Sequence, residues 1–200
     1  MMKKWLSAAV CSMMVAAPAG FALAQTGTTT GAAATGARAD YDAARSRADA
    51  EYKTAKQRCD ALKSNAKDIC EAEAKRDRDV ARAEAEATRD NTDAARAKVA
   101  KVKADGDYEV AKERCDDKKG NDKDVCVKEA KAAHEKAVGE AKTRREAATG
   151  GSRADVAEAR RDARKDTTDA AYKADREKCD AMSGDAKDKC QADVKAKYGR

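Results

Sequence analysis

Three stretches of this chain share one ungapped frame: Tyr52 to Cys59-Asp60 to Cys70, Tyr108 to Cys115-Asp116 to Cys126, and Tyr172 to Cys179-Asp180 to Cys190. In each, the tyrosine stands seven residues before the first cysteine, and the second cysteine follows eleven residues after it. The offset from one frame to the next is 56 residues and then 64, a difference of about two helical turns that reads as one connecting helix being longer. A fixed pair of cysteines at a short, repeated spacing constrains the fold more than any other feature here.

The stretch between the cysteines carries turn chemistry. Ser64, Gly120 and Gly184 stand where a helix would stop in the left-handed conformation. Asn65, Asn121 and Asp185 follow as N-cap candidates, with Asp68, Asp124 and Asp188 three residues on in the pattern of a capping box. One helix is therefore expected to end near Leu62, Lys118 and Met182, and another to return after the turn. Two antiparallel helices joined so tightly bring the cysteines within the Cα separation of roughly 4.4–6.8 Å that a disulfide requires. Six cysteines allow about fifteen connectivities, and the threefold identical spacing selects Cys59–Cys70, Cys115–Cys126 and Cys179–Cys190. Each bridge closes a loop of about a dozen residues and stabilises its hairpin by roughly 3 kcal/mol in the chain-entropy picture. Tyr52, Tyr108 and Tyr172, two turns before the bridge, are placed to cover the hairpin seam.

Such staples matter because the chain cannot build an ordinary core. Beyond residue 24 there is no Phe or Trp, and Leu62, Ile69 and Met182 are the sole residues of their types. Nine Val and five Tyr complete the large apolar set, in a chain whose residues are 40% charged. An enzyme-like domain of this length buries dozens of such groups, each worth roughly 1.5–3 kcal/mol. Ala, Lys, Arg and Glu are instead strong helix formers. The expected fold is all-α: an elongated array of three disulfide-stapled antiparallel helical hairpins joined by long helices, partly coiled-coil-like.

The N-terminus reads as a signal peptide over residues 1–24. Lys3 and Lys4 precede an apolar stretch from Trp5 to Leu23, and Ala22-Leu23-Ala24 supplies the small residues for cleavage before Gln25. Cys11 lies in the middle of the apolar stretch, away from where a lipidated cysteine would stand. Export gives the oxidising compartment that disulfides need, so the expected location is periplasmic or secreted with no membrane span after cleavage. Residues 25–37 read as a flexible Thr/Gly/Ala tether, 38–88 as the first hairpin, 89–148 as the second, 149–152 as a Gly/Ser linker and 153–200 as the third. Residues 71–107 read as one long solvated helix of alternating charge, with Gly106 either a hinge or tolerated inside it.

Removing the leader leaves 41 basic and 37 acidic residues, alternating in sign. That is a solvated polyampholyte without a basic patch, and its widely spaced tyrosines offer no stacking platform, so nucleic-acid binding is not expected. The single histidine, His134, has no repeating ligand set around it and reads as solvent-facing; no metal or cofactor is implied. Neither a Cys-x-x-Cys redox motif nor a catalytic set is visible, and Asp60, Asp116 and Asp180 read as helix-surface residues.

The hairpin text at Cys59–Cys70 (Cys-Asp-Ala-Leu, then Asn-Ala-Lys-Asp-x-Cys) resembles a group of exported Ala/Lys-rich proteins of Gram-negative bacteria, often labelled TolA-like cell-envelope proteins. The resemblance covers residues 52–75, 108–131 and 172–198 and implies a cell-envelope setting. The expected function is that of a non-catalytic structural or interaction protein, with envelope proteins or peptidoglycan as partners. The alternative is a chaperone-like or stress-protective helical protein.

Overall fold

The computed structural model describes residues 29–200, with side chains from residue 35 onward. The signal-peptide reading, the cleavage point at Ala24/Gln25 and Cys11 lie outside the described residues. The described chain is six helices: α1 (Thr29–Cys59), α2 (Ser64–Asp90), α3 (Asp93–Cys115), α4 (Gly120–Ala148), α5 (Arg153–Cys179) and α6 (Gly184–Lys197). No strand is present among the described residues. All three local disulfides form, with Cα–Cα separations of 5.6, 5.6 and 5.7 Å in chain order.

Each helix touches only its neighbours in the chain. The path is a meander in a single layer, and the side chains of α2 show why. Arg78 lies over the Tyr52 ring of α1, 4.4 Å from its centroid, whereas Arg76 reaches Asp107 of α3 at 3.5 Å. Residues two apart on a helix point about 200° apart, so α1 and α3 sit on opposite sides of α2. A helix with two opposed seams and two open faces has no interior to fill. Its seams need small residues, and the buried set is accordingly mostly Ala, among them Ala48, Ala74, Ala83, Ala104, Ala141 and Ala174. One close approach is at Gly139 of α4, where an added Cβ would lie 2.6 Å from the Ala163 Cβ of α5. Gly106 serves the same purpose against Arg76, so it is neither a hinge nor incidental.

Several expectations are corrected. The single helix read over residues 71–107 divides at Asn91, which adopts the left-handed conformation (φ 46°) while its N–H bonds the Ala87 carbonyl. Thr92 then caps α3, its hydroxyl accepting from the Ala95 N–H at 3.2 Å. Asn tolerates that conformation and Thr is a favoured N-cap, so the break was written in residues 90–93 and outweighed by the alternating charges around it. Thr29–Ala37 is helical rather than tether; Ala32, Ala33 and Ala34 carry helix propensity enough to absorb Gly31 and Gly36. The extra eight residues between the second and third frames do not lengthen one helix. They are shared among α4, the 149–152 turn and α5, because antiparallel arms must grow together to keep their ends aligned.

Alternating direction puts the three disulfide turns on one edge of the layer and the turns at 91–92 and 149–152 on the other. The second of these closes with a complete capping box between Ser152 and Asp155. No helix among the described residues is long and apolar enough to cross a membrane.

Candidate functional site

The repeated turn is the best-defined local site. α1, α3 and α5 end at Cys59, Cys115 and Cys179, whose side chains are fully buried, more so than any other large side chain among the described residues. The next turn tightens, with the N–H of Leu62, Lys118 and Met182 bonding the carbonyl of the cysteine three residues back. That tightening leaves Leu62 and Met182 exposed, at 42% and 47%. Ser64, Gly120 and Gly184 take left-handed φ values of 52°, 55° and 56°, as their positions required.

The capping boxes expected at Asn65, Asn121 and Asp185 do not form. The extended residue ahead of each returning helix is Lys63, Lys119 or Ser183, and no side chain caps there. The left-handed residue starts the helix one position early, which carries the Asn or Asp past the point from which it could reach back. Asn65 instead donates to the Glu113 carbonyl at the end of α3, at 2.8 Å, tying the first stapled turn to the second. Asp68, Asp124 and Asp188 stay exposed. The acid that does close each turn is the one beside the cysteine. Asp60 pairs with Lys67 at 2.8 Å, Asp116 with Lys123 at 3.1 Å, and Asp180 with Lys187 at 2.9 Å. Lys67 holds the Asp60 carboxyl below its ordinary range, and Lys187 does so for Asp180. The signal was present as an Asp and a Lys recurring seven apart in all three frames.

Tyr52, Tyr108 and Tyr172 do lie across the hairpin seams, and each meets a residue eight positions after the second cysteine of its own frame. Arg78 covers Tyr52 at 4.4 Å. His134 stacks on Tyr108 with ring centroids 5.0 Å apart. Tyr198 meets Tyr172 edge-on at 5.6 Å, with Arg200 over the same ring at 4.4 Å. The frame thus has a fourth position, filled by Arg, His or Tyr. Its chemistry varies, so identity alone could not reveal it, but its constant spacing could have.

His134 is the clearest relocation. It is not solvent-facing: its side chain is 15% exposed, and Nε2 sits 2.7 Å from Asp105 Oδ1 of α3. Nδ1 is buried with no hydrogen-bond partner. Burial pushes the Asp105 carboxyl up, but Lys101 and His134 together hold it below its ordinary value.

A groove of about 1020 Å³ runs over α2 between α1 and α3. Tyr41, Tyr52 and Tyr108 line it, as does His134, and the Tyr41 ring is covered by Arg89 at 4.2 Å. Its lining mixes charges of both signs, and among them Lys98 pairs with Glu86 at 2.7 Å. Its lining holds no Ser, Thr or Cys, and no group of three or more metal-ligating side chains occurs among the described residues. The arrangement fastens helices together. Compared with protein-family models, with curated proteins and with solved structures, the chain matches none.

Proposed function

We propose that this chain is a non-catalytic structural or interaction protein of the cell envelope, exported through its N-terminal leader to the periplasm or beyond. The observation that carries this reading is the triple use of one oxidised turn in a chain without an ordinary core. Three disulfides at equivalent positions hold a single helical layer together, and such staples persist in an oxidising compartment. The resemblance of the hairpin text to TolA-like envelope proteins points the same way. A single layer also exposes both faces of every inner helix, which suits a protein whose work is contact with others.

Fractionation of Gram-negative cells expressing the full chain tests this. Recovery of a leader-free, fully oxidised protein from the periplasm or medium is expected. Recovery of intact, reduced chain from the cytoplasm would sink the compartment and with it the role. Suppression of client aggregation by the purified chain would favour the chaperone-like alternative instead.

A further inference from the structure

In sequence the charges of α5 alternate in sign, but the helix sorts them. At about 100° per residue, Arg153, Arg160, Arg161 and Arg164 fall within an arc of roughly 100°, and Asp155, Glu158 and Asp162 fall on the opposite side. The arginine arc faces a groove shared with α4, of about 510 Å³ in each of two adjoining parts that both include Arg160 and Arg164. Lys136 and Arg144 of α4 form the other wall. Six cations therefore meet one acid, Glu140, across the groove. That is five net positive charges, against +6 for the whole chain. Among the described residues none of the six side chains has an ion pair or hydrogen bond, whereas most lysines and arginines elsewhere in the layer are paired. Gly139 and Ala163 bring the two helices close enough to form the floor, and Thr143, Thr167 and Thr168 line it, the hydroxyls of Thr143 and Thr167 donating to the Gly139 and Ala163 carbonyls. The groove over α2 thus mixes charges of both signs, whereas the groove over α4–α5 is cationic with its charges open.

We propose that the α4–α5 face is a docking surface for an anionic phospholipid membrane, its six open cations engaging headgroup phosphates. Guanidinium groups match phosphate oxygens. The cations are spread along some three turns of a flat face, which fits a surface carrying many phosphates better than one bound anion. No aromatic side chain lines the groove, so the stacking that single-stranded nucleic acid uses is lacking. The inference deepens the envelope reading and rests on it for its setting, but the purified chain tests it alone.

The experiment is co-sedimentation of the oxidised, leader-free chain with phosphatidylcholine vesicles, with and without phosphatidylglycerol, at low and physiological salt. Binding only to phosphatidylglycerol vesicles, weakened by salt, is expected. Arg160→Gln with Arg164→Gln should weaken it by about twenty-five-fold, about fivefold for each cation removed. Lys165→Gln with Lys189→Gln removes the same charge outside the groove and should change binding less than threefold. Circular dichroism checks that all variants keep their helices. Equal losses in both double variants would reduce the effect to net charge and overturn the proposal, as would failure to bind phosphatidylglycerol. Displacement by inorganic phosphate at low millimolar concentration would assign the groove to the free anion and overturn it too. A chain that binds vesicles yet is not exported leaves this proposal standing and sinks the compartment reading. An exported chain indifferent to vesicles does the reverse.

Discussion

Asp175 accepts hydrogen bonds from Lys197 at 2.6 Å, the Tyr198 hydroxyl at 2.9 Å and Lys178 at 3.1 Å. Lys197 above all, against burial and with Tyr198 and Lys178 in support, lowers its pKa to about 2. A carboxyl depressed in the folded state contributes stability that is complete above its unfolded pKa and is lost as pH falls through the folded one. The α5–α6 hairpin should therefore hold above about pH 4 and loosen between there and about pH 2. Asp175→Asn should remove up to about 2 kcal/mol at neutral pH and flatten that acid limb, read from tyrosine near-ultraviolet dichroism during titration. A wild-type signal constant down to pH 2 would refute it. Gly139 carries a second prediction at this scale. Ala there gains about 1 kcal/mol of helix propensity but overpacks against Ala163 by about 1–3. Gly139→Ala should cost about 1 kcal/mol in urea melts, and the cost should vanish when Ala163→Gly is made as well. Neither site was legible beforehand: a hydrogen-bond hub and a close approach both depend on which residues the opposite helix delivers.

Elements were easier to read than their joints. The stapled turns announce themselves by spacing, and the left-handed residue in each was legible because Gly, or a small Ser, stands there. What closes the turn was not, since Asn and Asp look alike as caps until the register of the first helical residue is known. At Asn91–Thr92 the opposite holds: the turn residues were present, and the unbroken charge pattern around them hid the break. Thr92→Ala should cost about 1 kcal/mol through the lost cap on α3, measured by chemical denaturation. No loss would mean that packing against α2 alone sets that start. Replacing Cys115 and Cys126 together by Ser should cost roughly 3 kcal/mol. Hydrogen exchange should show the loosening confined to α3, α4 and their direct neighbours, because a meander passes stability only between adjacent helices. Uniform loosening across all helices would contradict that.

Across the whole molecule, the absence of a second layer explains the composition that first looked like a deficit. Helices with two seams and two open faces need Ala and Gly at the seams and charge on the faces, and stapled turns to offset the small apolar burial. Complete reduction should accordingly cost far more helix than it would in a chain with a packed core. Far-ultraviolet dichroism before and after reductant, at a temperature where the oxidised chain is fully helical, measures this; unchanged ellipticity would show that the seams suffice alone. By itself the sequence determined what is local: helices from propensity, turns from Gly, Asn and Ser, and disulfide pairing from a spacing repeated three times. The tertiary structure decided what depends on which helix lies beside which. It set the partner over each tyrosine, the burial of His134 against Asp105, and the close contact at Gly139. It also decided that the arginine side of α5 opens onto a groove with α4, because linear order does not say which side of a helix a neighbour will occupy.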